Sequence, residues 1–282
     1  MRLQLRGRVV EMPRAVVMGI VNLSPDSFSG DGVEGVEAGI ERAVSQIRDG
    51  ADWIDVGAES ARTNRGPIPE AEEAERLLEF VRRWPSIGAD RVLSINTWRS
   101  GVAERVLSEG GDVLNDIGGL PDARNARYCA RNGVALVLMH TVGEPKVRHT
   151  HVVHEDVWWE LRGFFEQRIA LALDAGMGLD GLIVDPGIDF AKQREDNLRI
   201  YGGLEQLVAM GRPVLAPVSR KTVIGEVLGI EGAEARDAGT VACVVRSFCA
   251  GARIFRVHNV KATVETVRTL EALESHASVP SV

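Results

Sequence analysis

Arg62, Arg220, Lys221, Arg256 and His258 are cations spread over nearly two hundred positions, yet each falls at or just past the end of a short apolar run. Guanidinium groups offer planar forks of donors matched to phosphate oxygens, so a cluster of them reads as a phosphate or pyrophosphate grip. Any one of these arginines by itself reads as a solvated loop charge. Their shared position at run endings is what points to a site. Asp185 closes an otherwise wholly apolar run. Burying an unpaired carboxylate is costly, so it needs an N–H or amidine-like partner. Asn96 and Asn115 both donate and accept, which suits a flat heterocycle with alternating polar atoms. For Asn115-Asp116 a helix cap is the competing reading. Asn22 could offer a carbonyl oxygen to Mg²⁺, shared with ligand phosphate and water. Asp55 reads as set inside the core, and Glu59 as bracing nearby backbone. His149, His151 and His154 invite a zinc reading, but no Cys lies nearby and a solvated loop fits better. Gly57, Gly118-Gly119 and Gly202-Gly203 lack the context of a dinucleotide fingerprint.

One architecture brings these residues together. Eight apolar or β-branched runs each end on a polar residue and are followed by a helical pattern. The endings are Asn22, Glu59, Asn96, Asn115-Asp116, His140, Asp185, Ser219-Arg220-Lys221 and Arg256-Val257-His258. Strands joined by crossover helices make a parallel sheet, and eight such units close into a (β/α)₈ barrel whose strand ends share one mouth. The predicted strands are 16–22, 53–57, 92–96, 113–116, 135–139, 182–185, 213–215 and 253–256. Helices are predicted over 36–47, 74–81, 102–107, 122–131, 157–175, 197–210, 223–228, 237–250 and 260–273. Residues 1–14 form a lead, a hairpin or strand across the barrel bottom. Residues 15–273 form the barrel, and 274–282 a frayed tail. Trp158-Trp159 and Phe164-Phe165 fall at helical spacing and read as packing.

The 282 residues match one such domain, which takes about 250. A net charge of −7 argues against nonspecific nucleic-acid binding, though not against a local anion site. No apolar run reaches membrane-spanning length, and the start MRLQLRGRVVEMPR lacks a secretory core. Cys129, Cys243 and Cys249 form no close pair and read as reduced thiols, so the expected compartment is the cytoplasm.

Asn22-Leu-Ser-Pro-Asp-Ser-Phe28, Gly57-Ala-Glu-Ser-Ala-Arg62, Ser94-Ile-Asn-Thr97, Asn115-Asp-Ile117, Asp185-Pro-Gly-Ile188, Ser219-Arg-Lys221 and Arg256-Val-His258 occur in the order of dihydropteroate synthase motifs. The chain resembles that family from about Val16 to Leu270. The resemblance implies a TIM barrel that acts as a transferase, joining 6-hydroxymethyl-7,8-dihydropterin pyrophosphate to p-aminobenzoate with release of pyrophosphate. It implies that Asn96, Asn115, Asp185 and Lys221 hold the pterin, with Met139 among the substrate contacts. Asn22 would bind Mg²⁺. Arg62, Arg256 and His258 would grip the pyrophosphate, and Phe28, Phe190, Ser219 and Arg220 would surround the p-aminobenzoate. Lys221, Asp185, Arg256 and Asn96 are the residues it would make catalytic. A homodimer through outer helices is implied by analogy.

The chain departs from the family pattern at Ala61, Thr63, Asn96, Asp189, Pro217 and Asn259. Asn96 replaces an Asp, so the position cannot lend negative charge to a developing cation. Asp189 stands where Gly is usual and reads as a new acid near the mouth. Pro217 fixes φ and deletes a backbone donor. A paralogue that binds pterin or pyrophosphate without condensing is therefore the alternative. Methyl transfer from methyltetrahydrofolate, which uses a related pocket, fits the intact Ser-Arg-Lys and Arg-Val-His motifs less well.

Overall fold

The structure, a computed structural model, describes residues 2–12, 14–24, 35–59, 66–143, 145–147 and 152–277. A hairpin of β1 (Arg2–Leu5) and β2 (Arg8–Glu11) precedes the barrel strands. These are β3 (Val16–Asn22), β4 (Trp53–Gly57), β5 (Val92–Asn96), β6 (Val113–Asp116), β7 (Ala135–Met139), β8 (Leu182–Asp185), β9 (Leu215–Ala216) and β10 (Ile254–Val257). All pair in parallel, in the order β8-β7-β6-β5-β4-β3-β10-β9. A bridge between Val184 and Val214 joins the two ends, so the sheet closes on itself.

The crossover helices are α1 (Val36–Arg48), α2 (Glu70–Arg83), α3 (Ser100–Leu107), α4 (Arg124–Asn132), α5 (Val157–Asp174), α6 (Arg194–Gly202), α7 (Glu205–Val208), α8 (Thr222–Leu228), α9 (Asp237–Cys249) and α10 (Val260–Ala277). Their ends follow local chemistry. Glu70, Glu72 and Glu73 open α2 and Arg82 and Arg83 close it, each sign favouring its end of the helix dipole. Asp156 caps α5 by accepting from the N–H groups of Trp158 and Trp159. The predicted helix over 197–210 is broken, because Gly202-Gly203 ends α6 before α7 begins. The last helix runs on through Ala277, past the predicted boundary at 273. Trp159 does not pack: it is 74% exposed.

Two apolar layers hold the barrel. One lies between strands and helices. The other fills the interior near the strand starts, where Val16, Trp53, Val113, Ala135 and Ile254 meet Leu3 and Leu5 of the hairpin. Arg6, at the hairpin turn, donates to the carbonyls of Leu107 and Gly111 and ties the hairpin to the barrel underside. The lower end is thereby plugged, and the polar strand ends are left at the other. β9 is only two residues long because Pro217 follows and cannot donate to a ladder.

Candidate functional site

Asp55 is the hub of the mouth floor. The pairing register sets Asp55 beside Ser94, and Asn96 beside Asn115. Side chains two apart along a strand share a face, so Asp55, Ser94, Asn96 and Asn115 converge. Asp55, fully buried, accepts from Ser94 Oγ at 2.6 Å, Asn96 Nδ2 at 3.2 Å, Asn115 Nδ2 at 3.2 Å and Arg256 Nε at 2.7 Å. Both amides are thus turned with their nitrogens toward Asp55. Asn115 Oδ1 is left buried with no hydrogen-bond partner, an acceptor waiting for a ligand donor.

Asp185 lies opposite, at the end of β8, beside Met139 in register. Burial pushes its carboxyl up to about 6, against the opposing pull of the Gly187 N–H at 2.7 Å and the cations Lys221, Arg256 and Lys192. Burial pushes the Lys221 ammonium down, while Asp189 and Asp185 pull it back up. Its Nζ donates to the Ile188 carbonyl at 2.9 Å and sits 5.3 Å over the Phe190 ring. The loop carrying these partners is wrapped around a buried lysine, Lys192. Lys192 Nζ reaches the carbonyls of Gly187 and Phe190, each at 3.0 Å, and His140 Nδ1 at 2.7 Å. Burial drives Lys192 down to about 7, and burial with the nearby Lys192 keeps His140 neutral. Only glycine fits at 187: φ is +64°, and a Cβ would stand 1.9 Å from the His140 carbonyl oxygen.

The cationic rim comes from the ends of β9 and β10. Ser219 Oγ accepts the His258 backbone N–H at 3.0 Å and lies 2.7 Å from its ring Nδ1. Burial, with Arg256, Arg220 and Lys221 close by, holds His258 far below its usual pKa, so the ring is neutral. Arg220 is paired with Asp237 through Nε at 2.7 Å and Nη2 at 3.1 Å. Asn259 Nδ2 donates to the same carboxylate at 2.8 Å. That explains one departure from the family pattern, since an Asp at 259 would face Asp237 as a like charge.

Asp189 does not open into the mouth as a free acid. Its carboxylate accepts the backbone N–H of Thr222 at 2.5 Å and of Val223 at 3.4 Å, at the start of α8. Glu59 does brace its surroundings: it pairs with Arg99 and Lys146 and accepts the Ile68 N–H. Arg99 also pairs with the buried Glu73. Sequence reasoning missed Arg99, Lys192 and Asp237. Arg99 and Lys192 each follow a recognised motif by two to four residues. Asp237 lies in a distant helix start and left no such signal.

The magnesium expected at Asn22 is corrected. Among the described residues no group of three or more His, Cys, Asp or Glu is arranged to hold a metal ion. Asn22 is half-buried at the end of β3, and the Asp55 carboxylate is committed to neighbouring donors. A lone amide oxygen without an ionised carboxylate beside it is a weak ligand for a hard cation. Phe28 and Arg62, like Ala61, Thr63, His149 and His151, lie outside the described residues. His154 Nε2 lies 2.9 Å from the Ala191 carbonyl. No helix among the described residues is long and apolar enough to cross a membrane.

Comparison with known proteins agrees with this geometry. A family model described as pterin binding enzyme matches residues 18–258. A dihydropteroate synthase of Neisseria meningitidis serogroup C is 34% identical over 269 residues, 94% of each chain. The dihydropteroate synthase of Yersinia pestis, solved in complex with a sulfonamide drug, superposes with a TM-score of 0.91 at 32% identity, covering 98% of this chain and 100% of that one. A dihydropteroate synthase of Xanthomonas albilineans in complex with 7,8-dihydropteroate gives 0.84 at 33% identity over 99% of both chains. With the family model matched from β3 to the end of the last barrel strand, and relatives aligned over nearly the whole length, this chain belongs to the dihydropteroate synthase family of pterin-binding TIM barrels.

Proposed function

We propose that this chain condenses 6-hydroxymethyl-7,8-dihydropterin pyrophosphate with p-aminobenzoate, and that its mouth residues divide the reaction between them. The observation that carries the assignment is the pairing of an amide and carboxylate floor with a cationic rim on one barrel end. Asn115 Oδ1 and the Asp185 carboxylate accept from the pterin ring N–H groups, and Lys221 donates to a ring acceptor. Asn96 presents its Oδ1 beside them. Arg256, held by Asp55 through Nε, and His258 face the pyrophosphate. Ser219, Arg220 and Phe190 line the approach of p-aminobenzoate. Phe28 and Arg62 complete the two substrate sites in this reading.

The reaction breaks the pterin methylene C–O bond, and the electron pair leaves with pyrophosphate. The pterin ring stabilises the resulting cation. The aniline nitrogen then forms the new C–N bond and releases a proton. The protein's part is positioning and stabilisation of charge, with no covalent intermediate. A cytoplasmic homodimer belongs to the same reading. It is supported by unpaired Cys129, Cys243 and Cys249, and by Val227 and Leu228 exposed at the end of α8. Incubation of purified protein with both substrates tests the assignment by following dihydropteroate and pyrophosphate together. Equal yields of both are expected. Pterin binding without either product would instead make this a non-condensing paralogue.

A further inference from the structure

Asp189 occupies a position whose backbone favours glycine. Its φ is +69°, a region that L side chains seldom adopt, and a carboxylate there has to be held by something. It is held at both ends. Its own N–H donates to Asn197 Oδ1 at 2.9 Å, and Asn197, 2% exposed, is fixed by a second bond from its Nδ2 to the Gln193 carbonyl at 3.1 Å. The carboxylate then crosses to another βα unit and takes the N–H of Thr222, with Val223 behind it. The residue before Thr222 is Lys221. The side chain at the cap position, Lys221, makes no cap hydrogen bond of its own. Residues 188–190 therefore meet Lys221 in three ways: a carbonyl on its amine, a carboxylate on the next residue's N–H, and a ring beneath its ammonium.

We propose that Asp189 is a positioning residue for Lys221, fixing the first turn of α8 through the Thr222 N–H and so the direction from which the lysine amine meets the pterin. The inference rests on the assignment of Lys221 to the pterin. Arg220 is anchored independently: its N–H donates to Thr240 Oγ1 at 2.9 Å and its guanidinium pairs with Asp237. Loosening the Asp189 contact thus displaces the pterin contact more than the p-aminobenzoate side, where Arg220 stays held by Thr240 and Asp237.

Three variants separate this from a general structural role. Asp189→Gly removes the carboxylate and relieves the positive φ, two changes of opposite sign, so its melting temperature stays close to the parent's. Asp189→Asn keeps an acceptor oxygen for the Thr222 N–H. Thr222→Pro deletes the donor from the other side, and proline suits a first helical position. Lys221, at φ −61° and ψ 152°, already has the backbone that a following proline demands. Binding of 6-hydroxymethyl-7,8-dihydropterin is measured for each, with the KM for p-aminobenzoate in the condensation assay. Loss of a cap corresponds to about fivefold in affinity. Asp189→Gly and Thr222→Pro are expected to weaken pterin binding by about that factor, with the p-aminobenzoate KM changed by less than about twofold, the melting temperature close to the parent's, and Asp189→Asn within about twofold of the parent. Unchanged pterin affinity in either of the first two overturns the proposal. So does a pterin loss matched by the p-aminobenzoate KM, or an Asp189→Asn as weak as Asp189→Gly. Should Asp189→Gly not fold, Thr222→Pro decides alone. A parent protein that binds no pterin removes the Lys221 assignment itself, a different result from a parent that binds while its variants do not differ.

Discussion

Asn96→Asp restores the residue usual in the family, and the sequence suggests it would speed condensation by lending charge to the cation. The geometry argues the opposite. Asn96 Nδ2 donates to Asp55 Oδ2 at 3.2 Å, and both side chains are buried. Two ionised carboxylates at that separation repel by about 5 kcal/mol at an effective dielectric of about 20. Taking up a proton at pH 7 costs about 4 kcal/mol for a carboxyl that ordinarily titrates about three units lower. The smaller cost decides, so the pair binds a proton and the introduced group donates an O–H to Asp55, as the amide did. Arg256, 2.7 Å from Asp55, offsets part of the repulsion and makes about 4 kcal/mol an upper value. The folded state then holds a proton that the unfolded chain lacks, so stability falls as pH rises. The loss relative to the parent should be about 1.5 kcal/mol at pH 5 and approach about 4 kcal/mol at pH 7. Urea denaturation of both proteins at the two pH values measures it, with condensation followed at pH 7. Equal losses at pH 5 and pH 7, or a faster condensation, would refute the reasoning.

Two further outcomes are expected. Burial holds Asp185 up to about 6, so its carboxylate, the form that would accept the pterin donors of the proposed site, is lost as pH falls through that value. Pterin affinity should drop about tenfold between pH 7.5 and pH 5, whereas Asp185→Asn should bind weakly at both. A parent titration flat across that window removes Asp185 from the role. The stability contribution of the same group runs the other way, since a raised folded pKa favours the folded state at low pH and loses that advantage as pH rises from about 4 to about 6. Gly187→Ala, with its Cβ driven onto the His140 carbonyl, should cost more than about 3 kcal/mol. Gly229→Ala, at a similar φ of +67° but with open space around it, should cost about 1 kcal/mol. Comparable melting temperatures for the two would show that the loop around Lys192 yields easily.

The barrel was legible because each strand is a compact apolar run with a polar ending, and that pattern survives any detail of packing. The endings also mark the residues that the fold gathers at one end of the barrel, amides and carboxylates on one side and cations on the other. What they could not convey is direction. Asp55 lies inside a strand and read as structural, yet its position opposite Ser94 makes it the group that turns Asn96, Asn115 and Arg256. Asp189 read as an acid at the mouth, because nothing local reveals that a helix start from another unit lies within 2.5 Å of its oxygen. Asn259 read as a loss, and became intelligible once Asp237 appeared beside it from α9. Each of these facts belongs to a pair of residues on different elements, and a single chain read in order does not display such pairs. The magnesium expectation failed for a related reason. Asn22 carries a suitable atom, but a metal site is a property of several ligands meeting, and no such meeting of carboxylates, imidazoles or thiolates is formed among the described residues.

The hairpin under the barrel has a consequence for traffic. With Leu3 and Leu5 packed among the strand starts, the described residues close the barrel at that end and leave the other as its doorway. Asn115 and Asp185 lie at its inner end, 1% and 3% exposed, while Phe190 and Lys221 stand half-open nearer the threshold. Whatever occupies the inner end must go in first and come out last. The itinerary of two substrates and two products would then be dictated by depth, with the pterin as the guest that has to arrive before the other.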